Sequence, residues 1–393
     1  MNTTNTVLPP ATLLQAGRVV IGPGALVQLP ELLRSLRARR ALLVVSRSVR
    51  RAGLLEATLA ALGDAGIAHV IVDDTPAEPD VQDVERTLAA SRESGPCDAV
   101  VGIGGGSVID VAKIAAVVLA HDVSLRDLLA KRVAVPGRGL PTVMVPTTAG
   151  TGAEATPNAI VLVAEDALKV GIVDPHLVPD AVILDARLTL GLPPDVTAST
   201  GMDALTHAIE CVCSRKGNVF SELYGLEAIR LIGRSIRRAV ADGRDEQARA
   251  DMLLGAYYGG VCIATSSTTA VHALAYPLGG TYRMAHGLSN AILLPSVMAW
   301  NRIGQQARFA AMARAMGVRV DGLDDDAASL AFVDALRQLN ADLGVPADLR
   351  GLGIGAADLD ALVDGAAKVT RLLDNNPRPM TREDLRTIYA GLI

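Results

Sequence analysis

Aromatic residues make up only 3% of this 393-residue chain, with one Trp and three Phe. Its core must therefore be assembled from Ala, Val, Leu and Ile rather than from stacked rings. Cysteine is equally sparse. Cys97, Cys211, Cys213 and Cys262 show no CxxC and no paired spacing, which argues against a disulfide scaffold or a thiolate zinc site and for reduced thiols in the cytoplasm. No apolar run reaches the length of a membrane span without Asp, Lys or Gly breaking it. The opening stretch MNTTNTVLPPATLLQ lacks the basic and long apolar regions of a secretory leader. A dominant charge is missing as well: the net charge of −5 gives no general attraction to nucleic acid or an anionic membrane. Basic runs such as RSLRARR end amphipathic helices and read as solvated faces.

What is present is a rhythm. ALLVV (41–45), HVIVD (69–73), DAVVGI (98–103) and PTVMVP (141–146) read as buried strands. Between them, GLLEATLAALGDAG and DVQDVERTLAASRESG place apolar residues at three- and four-residue spacing. This alternation predicts an α/β, doubly wound (Rossmann-like) parallel sheet. AIVLVAE (159–165) and LKVGIVD (168–174) read as a hairpin, and VILD (182–185) as a last strand. Beyond LTLGLPPD the strand signals stop and Ala/Leu-rich helical stretches run on, broken at Gly and Pro. We therefore divide the chain into an α/β nucleotide-binding domain, 1–188, and an all-helical C-terminal domain, 189–393.

Two loops carry small-residue chemistry. DAVVGIGGGSVIDVAK (98–113) is a strand, a glycine turn and a helix start. Gly104, Gly105 and Gly106 have no Cβ, so backbone can approach a ligand, and the helix from Ser107 aims N–H groups at an anion such as a pyrophosphate. The turn is neither GxGxxG nor a P-loop, so a plain tight connection stays open on spacing alone. PTTAGTGAE (146–154) adds hydroxyls from Thr147, Thr148 and Thr151 after another strand. Both loops are expected at the carboxyl edge of the sheet, where ligands bind in this architecture.

Histidine is rare, six in all. In GMDALTHAIE (201–210), Asp203 and His207 are i and i+4, on one helix face. With His272 and His286 they offer a carboxylate and three imidazoles, a set suited to Fe²⁺ or Zn²⁺ with a position left for substrate. An ordinary surface pair on a helix remains the alternative reading. His69, His121 and His176 are assigned to satisfied core positions.

GGGSVIDVAK, PTTAGTGAE, GMDALTHAIE and HALAYPLGG…AHGLSNAILLP together resemble the iron-containing (group III) alcohol dehydrogenases, in family order over most of the chain. The resemblance implies an α/β nucleotide domain, a helical domain, a metal in the cleft between them and a homodimer. It makes Asp203, His207, His272 and His286 the metal ligands and seats the cofactor pyrophosphate on Gly104–Ser107. It places Thr147, Thr148 and Thr151 along the nucleotide and nicotinamide pocket. Asp110 and Lys169 would contact the cofactor, whereas Lys113 either does so or packs its stem. The implied reaction is hydride transfer between nicotinamide C4 and a small aldehyde or alcohol, the metal acting as a Lewis acid.

Three departures matter. Family members often carry histidine where this chain has Tyr276, a residue that lines the substrate pocket, donates a hydrogen bond or merely packs. Its ordinary pKa near 10 makes it a weak proton shuttle unless lowered. Tyrosine here also resembles the hydroxyacid–oxoacid transhydrogenase branch. Ala153 replaces a usual serine, at the cost of one hydroxyl contact. Finally, ALLVVSRSVRR offers Ser46, Arg47, Ser48, Arg50 and Arg51 but no carboxylate at the strand tip. That favours NADP(H), or dual use with NAD(H), because arginine attracts a 2′-phosphate that an acid would repel. A dehydroquinate synthase-like lyase would need basic residues around the ligands, and ALTHAIECV and SSTTAVHALAYPLGG are too apolar. A non-catalytic scaffold would have lost ligands, and all four positions are filled. Cys211 and Cys213 are expected in the core.

Overall fold

The computed structural model describes residues 9–163 and 168–393. Its strands are β1 (Arg18–Ile21), β2 (Arg40–Val45), β3 (Ala68–Val72), β4 (Ala99–Gly104), β5 (Thr142–Pro146), β6 (Asn158–Val163), β7 (Leu168–Val173) and β8 (Ala181–Leu184). Among the described residues six of them form one sheet in the order β1-β8-β5-β4-β2-β3, with every neighbouring pair parallel. The doubly wound α/β fold expected from the alternation is the fold observed. β6 and β7 pair antiparallel as a separate ribbon, Asn158 opposite Val173 and Val163 opposite Leu168. The turn expected between them falls on 164–167, outside the described residues.

Strand side chains alternate faces, and β2 shows the result. Ala41, Leu43 and Val45 join one apolar cluster with Val101, Ile103, Val143 and Ile183. Leu42 and Val44 join another with Val100, Met144 and the helix Gly106–His121. A sheet covered on both faces needs strands that are apolar throughout, which is why they read as unbroken hydrophobic runs. β1 escaped the sequence reading because it is an edge strand of four residues, three of them exposed.

The last strand ends at Leu184 and the first long helix of the second half, Pro194–Cys213, follows. That helix packs against Val219–Ala241, Glu246–Thr265 and His286–Asn301. Its core takes in Val182 and Leu184 from the sheet half, so the two halves meet over a shared apolar seam. All four cysteines are free, and Cys211 and Cys213 are buried in this core. No helix among the described residues is long and apolar enough to cross a membrane.

Candidate metal centre and nucleotide edge

The Pro194–Cys213 helix carries Asp203 and His207 one turn apart. Ala270–Tyr282 brings His272, and His286 opens the helix His286–Asn301. Close packing is what lets these helices converge. A Cβ on Gly287 would lie 2.1 Å from the Ser199 carbonyl oxygen, so only glycine allows His286 to approach Asp203. Asp203, His207 and His272 are buried, while the His286 side chain is 37% exposed. The cluster is thus closed except on the His286 side.

One donor atom from each of the four residues lies within 4.8 Å of the others. Asp203 Oδ1 is 3.7 Å from His207 Nε2, 3.7 Å from His272 Nε2 and 3.6 Å from His286 Nε2. Donors bound at about 2.1 Å around a tetrahedral centre would sit about 3.4 Å apart, so the spacing fits a small divalent ion. The chemistry of the donors fits too. The carboxylate oxygen and the His272 and His286 Nε2 atoms converge on one point, where a hydrogen-bond donor or a cation fits. The Asn290 amide nitrogen stands there, donating to Asp203 Oδ1 at 2.7 Å and lying 3.2 Å and 3.3 Å from His272 Nε2 and His286 Nε2.

Electrostatics repeats this demand for a cation. Burial alone would raise the Asp203 carboxyl, but His207, His286 and His272 hold it well below the usual carboxylate range. Burial pushes His207 down to about 4, with Asp203 opposing. Burial also opposes charge on His272, yet Glu210 and Asp203 push it up to about 9. Glu210 is fully buried and its Oε2 is 2.5 Å from His272 Nδ1. Its Oε1 accepts from Thr269 Oγ1 and the Val271 N–H, both at 2.7 Å. The carboxylate therefore holds the Nδ1 proton and turns Nε2 toward the other three side chains of the cluster, the outer-shell role that orients a ligating histidine.

The glycine turn and the threonine loop adjoin across the sheet edge. Gly104 pairs with Pro146 in register, and the Thr147 N–H donates to the Gly104 carbonyl at 2.9 Å. A Cβ on Gly106 would lie 2.7 Å from Thr151 Oγ1, and one on Gly105 3.4 Å from Thr148 Oγ1. The missing side chains are thus what bring the two loops together. Ser46 caps the helix Arg47–Arg51, and its N–H donates to Ile103 at 2.9 Å, so the basic stretch borders the same edge. Arg47 is exposed and has no carboxylate partner among the described residues.

Other expected contacts are spent elsewhere. The Ser107 hydroxyl donates to the Ala77 carbonyl at 3.1 Å. Asp110 Oδ2 accepts the Ile160 N–H of β6 at 3.1 Å, so the residue ties the glycine-turn helix to the ribbon. Burial raises its carboxyl to about 7 against the pull of Lys113. Lys113 neither packs a mere stem nor faces the edge. Its buried ammonium donates to the Ala153, Thr156 and Asn158 carbonyls at 2.5, 2.7 and 2.9 Å, clamping the end of the threonine loop. Lys169 pairs with Leu162 in the ribbon; its side chain is outside the described part of the structure.

Tyr276 lies one turn beyond His272 and is 37% exposed. Burial pushes its phenol up, Arg371 pulls it down, and Glu210 and Asp203 add to the rise. The net direction is away from neutrality, so nothing here lowers it into service as a shuttle. His121 and His176 take no part in the cluster, but they are surface residues rather than core ones. His121 Nε2 lies 2.8 Å from the Arg138 carbonyl and His176 Nδ1 2.8 Å from Asp174. Glu210 and Asn290 escaped the sequence reading, though both had a signal, lying at helical spacing from His207 and His286.

Residues 16–186 match the model of the iron-containing alcohol dehydrogenases, and residues 197–393 match the C-terminal region of the Fe-containing alcohol dehydrogenase family. Long-chain-alcohol dehydrogenase 1 of Geobacillus thermodenitrificans is 40% identical over 94% of each chain. Lactaldehyde reductase of Escherichia coli K12 is 34% identical over 94% of this chain and 96% of its own. Among solved structures, a 1,3-propanediol oxidoreductase superposes with a TM-score of 0.93 at 33% identity, over 98% of this chain and all of that one. With two family models spanning nearly the whole sequence and relatives this similar along their full lengths, the chain belongs to the iron-containing alcohol dehydrogenase family, metal-dependent oxidoreductases that interconvert alcohols and aldehydes with a nicotinamide cofactor.

Proposed function

We propose that this chain reduces small aldehydes, and oxidises the corresponding alcohols, at a divalent ion held by Asp203, His207, His272 and His286. Fe²⁺ is the first choice and Zn²⁺ the second, since both suit one carboxylate and three imidazoles. The observation that carries the reading is the convergence of four donor atoms within 4.8 Å, beside a glycine turn made for an anion. When bound, the ion supplies Lewis acidity to the substrate oxygen.

The chain's own residues do the rest. Asp203 brings the negative charge that offsets the ion, and Glu210 fixes the tautomer of His272. Gly104–Ser107 seat the pyrophosphate, with Thr147, Thr148 and Thr151 along the nucleotide. A nicotinamide cofactor held at this edge would supply the hydride for the carbonyl carbon, and solvent would supply the proton to its oxygen. Tyr276 shapes the wall beside His272 rather than relaying that proton.

Ser46 and Arg47 take the adenosine ribose end, and the absence of an acid there supports NADP(H) over NAD(H). We further propose a homodimer, an assembly supported by an edge strand β1 with Val19 and Ile21 exposed, and a cytoplasmic location, supported by four unpaired thiols. The test is an initial-rate panel of short aldehydes with NADPH and NADH, repeated on Arg47→Ala. The reading expects turnover in the parent with a higher kcat/KM for NADPH, and a fall of that preference in the variant. An unchanged NADPH/NADH ratio would overturn the cofactor assignment.

A further inference from the structure

Three helices supply the donors of the cluster, and one stretch of chain fastens all three. Pro194–Cys213 carries Asp203 and His207, Ala270–Tyr282 carries His272, and His286–Asn301 begins with His286. The stretch is Asn375-Asn376-Pro377-Arg378. The Asn375 carbonyl accepts the Arg215 N–H at 2.8 Å and the Ser214 hydroxyl at 3.4 Å, just past the last turn of the first helix. Its side-chain nitrogen donates to Ser267 Oγ at 2.9 Å, in the loop that leads into the second helix, and to the Arg371 carbonyl at 2.8 Å. Asn376 and Asn301, the last residue of the third helix, exchange two amide hydrogen bonds of 2.7 and 2.9 Å. The Arg378 guanidinium lies over the Trp300 ring, 3.6 Å from its centroid, and donates to the Trp300 carbonyl at 3.3 Å.

These contacts are interior. Asn376 and Asn301 have no exposure to solvent, and Asn375, Ser214 and Ser267 are buried. A buried polar group that loses its partner pays its full desolvation penalty, so the bonds fix where each helix end sits. Hydrogen bonds are directional, whereas apolar packing is not. The loop into the second helix is also held from the first, by Thr269 Oγ1 on Glu210 Oε1 at 2.7 Å and Ser266 Oγ on the Cys211 carbonyl at 3.2 Å. Asn375 and the last turns of the first helix thus grip the run-in to His272 together. A ligand set tolerates a misplacement of only about 0.5 Å, and its donors here ride on three separate helices. We propose that Asn375 and Asn376 are positioning residues of the metal centre, setting the relative register of the three helices and so the spacing of the four donors. They act through the helices and touch no reacting atom. This rests on the cluster holding a divalent ion, and it adds to that reading the residues that keep its geometry.

The test is anaerobic titration of Co²⁺ into the full-length, chelator-treated protein, for the parent, Asn375→Ala, Asn376→Ala and Ser267→Ala. Chelator competition gives the affinity, and the d–d absorption of bound Co²⁺ reports the coordination geometry. NADPH affinity and the melting curve of the metal-free protein are read on the same samples. Asn375→Ala and Asn376→Ala should each lose about tenfold or more in Co²⁺ affinity and show an altered d–d spectrum. NADPH affinity should stay within about twofold, because the sheet half is untouched. Ser267→Ala removes a single bond and should lose less, which keeps the proposal testable if an asparagine variant does not fold. Combined with Asn375→Ala it should cost less than the sum of the two. Parent-like Co²⁺ affinity and spectrum in the variants would overturn the proposal. So would Co²⁺ and NADPH affinities that fall together in step with the melting temperature, the mark of a general support. A parent that binds no Co²⁺ would sink the reading of the cluster itself, and this proposal with it.

Discussion

Glu210→Gln is a near-isosteric change with a large expected effect. The carboxylate accepts three hydrogen bonds, from Thr269 Oγ1, the Val271 N–H and His272 Nδ1, in a place with no exposure to solvent. An amide has a single acceptor oxygen, and it can be placed two ways. With oxygen toward Val271, the amide NH₂ faces His272 Nδ1. The ring must then accept there and carry its proton on Nε2, aimed at Asp203. With oxygen toward His272, the NH₂ opposes the Val271 N–H and a buried donor goes unpaired, costing about 1–3 kcal/mol. Either arrangement spoils the ligand. Metal affinity should fall about 10- to 100-fold, the usual range for outer-shell changes. The assay is chelator competition under anaerobic conditions, with urea denaturation of the metal-free protein alongside. Parent-like affinity together with parent-like stability in Glu210→Gln would refute the assigned role.

Glu154 gives a pH-dependent prediction. It is 2% exposed, its Oε1 has no hydrogen-bond partner among the described residues, and burial raises its carboxyl from 4.5 to about 7. A folded pKa above the unfolded one means the stability this group contributes is complete below pH about 4.5 and is lost as pH rises through about 7. Glu154→Gln should therefore be more stable than the parent by about 3 kcal/mol at pH 8 and by under about 1 kcal/mol at pH 5; urea midpoints that differ equally at both pH values would contradict this. Gly106→Ala drives a methyl group into Thr151 and should raise KM for the nicotinamide cofactor about tenfold or more by parting the two loops, checked by cofactor titration at fixed aldehyde. Lys113→Met removes an ammonium from three carbonyls and should cost about 2–5 kcal/mol, read from urea midpoints; an unchanged midpoint would deny the clamp.

Much of the fold was legible because the sheet is covered on both faces. Each central strand had to be apolar throughout, and the stretch from Ala41 to Val45 announces itself at a glance. β1 did not, since an exposed edge of four residues has no such requirement. At the site, Asp203 and His207 declared themselves by helical spacing. His272 and His286 were reachable through the family resemblance and not through spacing. Glu210 and Asn290 carry the same spacing signal, but only with the helices in place does Glu210 prove to hold His272 Nδ1 rather than an ion, and Asn290 to stand against Asp203. Asp110 and Lys113 show the limit from the other side. Both sit in a motif beside the glycine turn, yet their polar atoms are taken by the ribbon and by the threonine loop, contacts between segments 40 or more residues apart that no local pattern encodes.

The most direct test of the metal centre is elemental analysis of protein purified under anaerobic conditions, for the parent and for Asp203→Ala and His272→Ala, each with its aldehyde reductase rate. A divalent ion in stoichiometric amount in the parent, lost along with activity in both variants, is the result this account requires. An active parent free of any such ion, or variants that keep both ion and rate, would contradict it.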